Sequence, residues 1–139
     1  MEKRQPMGIE LVKRGIVTES DIEKALDYQK THPNKKIGDI INILGLCDSH
    51  VLINAVGEIL EEKAIYLQEK DIRIDVQEYI ALDLVKQYKA IPFEISSGKI
   101  KVCFADTSNK RSIDVIRLLL LNKGLVMEKY ISFETLIKL

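Results

Sequence analysis

Between residues 7 and 59 one pattern occurs twice, offset by 30 residues and without a gap. The first copy reads Met7-Gly8-x-x-Leu11-x-x-x-Gly15, followed by Ile22, Leu26 and Gln29; the second reads Ile37-Gly38-x-x-Ile41-x-x-x-Gly45, followed by Leu52, Val56 and Ile59. A fixed period fixes the architecture, because each copy has to be one supersecondary unit that buries its apolar face on the next. Within a copy, an apolar residue, a glycine and a second apolar residue span one turn of a short helix. Gly8 and Gly38 lack a side chain, so either a ligand or a neighbouring helix can approach the backbone closely there. Gly15 and Gly45 fall where such a helix should stop, in the left-handed position after its last turn. Thr18 with Asp21 has the spacing of a capping box, and Asp48 is placed to do the same work in the second copy. Ile22, Leu26 and Gln29 then lie near one helix face. Each copy is therefore predicted to be a helix–turn–helix hairpin.

Read in order, Pro6 suits the first turn of a helix, where its missing N–H is not needed. Helices are predicted over 7–14, 19–31, 37–44 and 49–63, with His32-Pro33-Asn34 breaking the chain between the second and third. Ile65-Tyr66-Leu67 reads as a short strand, and Ile72 and Ile74 alternate with charges in a strand-like way. Residues 76–88 read as helical. Residues 90–95 and 99–104 read as two strands joined by a tight turn at Ser96-Ser97-Gly98, with Ile100, Val102 and Phe104 alternating along the second. A helix over 111–122, a strand over 125–131 and a terminal helix capped by Ser132 complete the pattern. The fold class expected is α+β: an N-terminal helical lobe over 1–67 built from a tandem helix-hairpin repeat, and a small C-terminal β-β-α-β-α lobe over 68–139.

The 139 residues carry 21 basic and 21 acidic side chains, which removes the electrostatic footprint of a DNA- or RNA-binding domain at the level of the whole chain. Phe and Tyr do not interleave with a basic stripe. Cys47 and Cys103 lack a CxxC spacing and read as reduced and packed. No apolar run is long enough to span a membrane. A P-loop, an HExxH pair, an EF-hand loop and a GxSxG elbow are all missing from the sequence. His32 and His50 have no partner ligand nearby in sequence. The residues alone thus point to a binding or regulatory module rather than an enzyme, without an intrinsic cofactor or metal.

The doubled pattern resembles the MshEN family, the N-terminal domain of type II secretion and type IV pilus assembly ATPases. That family's motif is Arg-Leu-Gly-x-x-Leu-x-x-x-Gly, then two spaced Leu and a Gln, in tandem. The segment Val85-Lys86-Gln87-Tyr88-Lys89-Ala90-Ile91-Pro92-Phe93 is similar to a further family stretch, as is the strand over 99–106 with its Ala-Asp end. The resemblance implies a bacterial, cytoplasmic domain that lacks enzymatic activity of its own, attached to a C-terminal ATPase motor and peripheral to the inner membrane through a platform protein. It also implies cyclic di-GMP as ligand, each motif holding half of the nucleotide. Carried over position by position, the implied ligand-binding residues are Arg4, Met7, Gly8, Leu11, Ile22, Leu26 and Gln29 from the first copy. Lys36, Ile37, Gly38, Ile41, Leu52 and Val56 come from the second copy, and Asp106 from the second lobe.

The departures have physical weight. Pro6 stands where the first motif has Arg, leaving Arg4 two residues upstream to serve instead. Lys36 replaces the second Arg, and a lysine lacks the planar fork that stacks on a guanine. Ile59 replaces the second Gln and cannot hydrogen-bond a base edge. A lost polar contact of that kind costs ~1–3 kcal/mol, which weakens the second half-site. Each residue also has a plainer reading: the apolar positions as helical core, Gln29 and Lys36 as solvated side chains, Asp106 as a helix cap. The alternative function is a docking domain that recruits the ATPase to the platform protein without nucleotide.

Overall fold

Two glycines set the length of the first and third helices. In the computed structural model, which describes residues 6–134, α1 (Pro6–Lys13) runs into Gly15 at φ 74°, and α3 (Ile37–Ile43) runs into Gly45 at φ 65°. The same pair of hydrogen bonds closes both ends. Gly15 N–H donates to Val12 O at 2.9 Å and Ile16 N–H to Leu11 O at 3.0 Å; Gly45 N–H donates to Asn42 O at 3.1 Å and Leu46 N–H to Ile41 O at 3.2 Å. This is the Schellman arrangement, which satisfies the last carbonyls of a helix and needs a residue free to turn left-handed.

The helices that follow are started by side chains. α2 (Glu19–Thr31) begins in a full capping box, with Thr18 Oγ1 accepting from Asp21 N at 3.1 Å and Asp21 Oδ2 accepting from Thr18 N at 3.0 Å. α4 (Ser49–Leu60) begins at Asp48, whose Oδ1 accepts from His50 N and Val51 N at 2.9 and 3.0 Å. It ends three residues before the predicted Lys63. Glu61 takes the left-handed conformation (φ 57°, ψ 44°), and Glu62 N–H donates back to Gly57 O at 2.8 Å. With no glycine at that position, the stop has no signature in the sequence.

The chain divides after Ala64 into two compact units. In the first, α1 packs on α3 and α4, α3 packs on α4, and α2 lies on α3. Leu11, Ala25, Ile37, Ile40, Ile41, Leu52, Ile53 and Val56 form its buried interior.

The second unit carries a three-stranded sheet in the order β1-β2-β3. β1 (Ala90–Ser96) and β2 (Lys99–Phe104) form an antiparallel hairpin. Ser97 and Gly98 both have positive φ (52° and 78°), as the favoured two-residue hairpin turn requires. β3 (Val126–Ile131) runs parallel to β2, reached through α7 (Lys110–Leu121). Pro92 sits on the edge strand, where a missing N–H breaks no ladder, and its carbonyl accepts from Gln77 Nε2 at 2.7 Å. Ile80, Phe93, Ile100, Val102, Phe104, Ile116 and Leu120 pack as the core with α5 (Ile74–Gln77) and α6 (Leu82–Tyr88) alongside.

Two short strands expected before this sheet do not form. Ile65 makes one bond to the sheet, its N–H to Ile131 O at 3.1 Å. Ile74 opens α5 and is 90% exposed. The alternation of Ile72 and Ile74 with charges reflects a helix start, with Arg73 before the first turn and paired to Asp75 at 2.7 Å. The terminal helix expected beyond Ser132 falls outside the described residues.

Candidate ligand-binding site

The two copies of the repeat differ in what they leave open. In the second copy every apolar motif position is buried: Ile37 is 3% exposed, Ile41 and Leu52 0%, and Val56 7%. In the first copy Leu11 is equally buried, but Met7 and Ile22 are only half-buried and Leu26 is 36% exposed. Ile22 and Leu26 are four apart on α2, so their side chains lie one above the other on one face. Gly8 is buried and Gly38 half-buried. A Cβ built on Gly38 would meet Val56 Cγ2 at 3.7 Å, an ordinary contact, so α3 lies on α4 here with room for a methyl group.

Gln29, at the end of the first copy, is half-buried and its Nε2 donates to Lys35 O at 2.8 Å. That bond closes the loop between α2 and α3, together with Lys35 N–H to His32 O at 3.1 Å. It also anchors the amide nitrogen of Gln29 and leaves its carbonyl oxygen outside that bond. Lys36 follows directly, extended and exposed, at the position before α3 and without a side-chain cap bond. The end of the first motif and the start of the second are thus joined through one hydrogen bond. Arg4 lies outside the described residues. Asp106 belongs to the second unit. Its Oδ1 accepts from Ser108 N at 2.9 Å and Ser108 Oγ at 2.6 Å, while Asn109 caps α7 by accepting from Ser112 N at 3.1 Å.

Two solved structures share this arrangement of elements. A structure of MshE with cyclic di-GMP is 23% identical, with a TM-score of 0.64, covering 96% of this chain and 94% of that one. The N-terminal domain of XpsE is 19% identical, with a TM-score of 0.57, covering 99% of this chain and 94% of that one. The chain shares the fold of MshE and of the XpsE N-terminal domain. No protein-family model and no curated protein sequence matches it.

Three features of this MshE-like fold were not singled out from the sequence. Tyr28 and His32 stack with ring centroids 4.0 Å apart and planes within 9°, beside Gln29. Their spacing of four on a helix is the signal that finds them. Gly57 is the tightest glycine described: a Cβ there would meet Ala64 Cβ at 2.6 Å and Glu62 O at 2.8 Å. No sequence pattern marks it. A concavity of about 520 Å³ opens at the end of α4, lined by Gly57, Glu58, Glu61, Glu62 and Lys63 among others. It contains none of the sequence-predicted residues, and its three carboxylates would repel a phosphate.

Electrostatic perturbations are few. Asp21 is held below its ordinary value, first by the Thr18 backbone N–H that donates to it. The Cys47 thiol is pushed up by burial and then by Asp21 and Asp48. Among the described residues no group of three His, Cys, Asp or Glu side chains is arranged to hold a metal ion, and no helix is long and apolar enough to cross a membrane.

Proposed function

We propose that this chain is a regulatory N-terminal domain of a pilus or secretion assembly ATPase and that it binds cyclic di-GMP on its first helical unit. The observation that carries the reading is the state of the first motif. It keeps Met7, Ile22 and Leu26 within reach of solvent and anchors the Gln29 amide nitrogen on Lys35 O, in a fold shared with a protein solved with that nucleotide.

The chemistry suits a guanine. The base is flat and apolar on its faces, which matches the i, i+4 pair Ile22 and Leu26. Its edge carries N–H donors, including the exocyclic N2 amine, and the Gln29 carbonyl oxygen is an acceptor whose partner amide is already pinned. Adenine carries no amine at that position, so a site built on this acceptor rejects it strongly. Lys36 supplies a positive charge for a phosphate, and Arg4 supplies a guanidinium able to stack or fork. The domain is not itself catalytic; its effect is on the motor joined to it, on the cytoplasmic side of the inner membrane.

A second reading is favoured by Ile59 and Pro6, which remove two polar groups of the motif, and by Val51 and Leu60, which are 49% and 43% exposed. In that reading the domain docks the ATPase on its inner-membrane platform protein without nucleotide. Titration calorimetry with cyclic di-GMP, and with cyclic di-AMP, GTP and ATP as controls, separates the two. Heat with cyclic di-GMP alone is expected. No heat with any of the four, with retention on immobilised platform cytoplasmic domains, would put docking in its place.

A further inference from the structure

We infer that the domain grips one half of cyclic di-GMP and leaves the other half unheld, an inference that rests on the nucleotide-binding reading above. The ligand is chemically two-fold: two identical guanosine monophosphates in one ring. The repeat is two-fold in sequence but not in exposure. In the first copy Ile22 is half-buried and Leu26 is 36% exposed; thirty residues on, their counterparts Leu52 and Val56 are 0% and 7% exposed. A side chain without exposed surface offers a base nothing to pack on unless the helix that covers it moves. At Gly38, Val56 Cγ2 lies 3.7 Å from where a Cβ would sit, so α4 is already in van der Waals reach of that glycine. Ile59, half-buried at the position that matches Gln29, completes a copy that has become helical core. From Ile37 to Ile59 the second copy is a scaffold that holds α3 against α4, and the first copy is the reading face.

Lost contacts and lost access make different predictions. If the second half-site were open and merely short of polar groups, restoring them would tighten binding. The Ile59→Gln variant would then gain about tenfold to a hundredfold, the value of one polar contact regained. If the second half-site is closed, restoration brings nothing. Calorimetry on the whole chain is expected to show cyclic di-GMP affinity within twofold of the parent for Ile59→Gln, and a loss of tenfold or more for Gln29→Ala. A parallel titration of the parent chain with the linear dinucleotide pGpG guards against a variant that fails to fold. Opening the ring frees a half that is not held, so affinity within about fivefold of the cyclic form is expected. A tenfold or larger gain in Ile59→Gln, or a fiftyfold or larger loss with pGpG, would overturn the one-sided grip and leave the nucleotide-binding reading standing. Absence of cyclic di-GMP binding to the parent would overturn both.

Discussion

Gly57 and Glu61 sit four residues apart at the end of α4 and ask opposite things of the side chain. Gly57 has no room for one: Ala64 Cβ and a backbone carbonyl stand at 2.6 and 2.8 Å from any Cβ. Gly57→Ala is expected to destabilise the domain by about 1–3 kcal/mol, the usual range for overpacking against atoms that cannot swing aside, read as a lower urea midpoint at unchanged slope. Glu61 holds a left-handed backbone with a Cβ in place, a conformation that costs an L-residue roughly 1–2 kcal/mol. Glu61→Gly relieves it and is expected to raise the midpoint. Gln29 shows how much of the candidate site was legible at this scale. Its place in the motif marked it, but its bond to Lys35 O joins residues across a loop whose path no periodicity describes. The burial of Leu52 and Val56 against the exposure of Leu26 was invisible for a related reason. Matched apolar letters carry no record of which copy a neighbouring helix covers.

Most element boundaries were legible because local chemistry sets them. Thr18 with Asp21, Asp48, Gly15 and Gly45 each act on their own helix end through bonds spanning five residues or fewer. The hairpin turn at Ser97-Gly98 belongs to the same class. The failures came where one motif-like fragment stood for another: Ile72 and Ile74 alternate as a strand would, yet a four-residue helix starts there. The capping box also gives a pH dependence. The Asp21 carboxyl lies below its ordinary value of 3.8, so its contribution to stability is full above that value and is lost as the pH falls through the lowered one. Asp21→Asn keeps an oxygen for the Thr18 N–H and removes the charge. It is expected to flatten the fall in melting temperature below about pH 4. In the second unit, Cys103 lies on the buried central strand, and burial pushes its thiol up to about 12. A thiol reagent at pH 8 is expected to modify the half-buried Cys47 in the folded protein and to reach Cys103 only on unfolding.

At the scale of the whole molecule, the sequence carried the order of a helical unit followed by a small mixed sheet, because the 30-residue repeat and the strand alternation are both periodic signals. What it did not carry is the difference between the two halves of the repeat, which is a tertiary property. The proposed recognition of cyclic di-GMP by this helical unit runs through its first copy. The most direct test is a ¹⁵N-labelled titration with cyclic di-GMP followed by two-dimensional NMR. Saturable shifts are expected, centred on the backbone amides of residues 22–29 and on the Gln29 side-chain amide, with the amides of residues 52–56 little moved. Spectra unchanged by cyclic di-GMP, or shifts centred on residues 52–56, would contradict it.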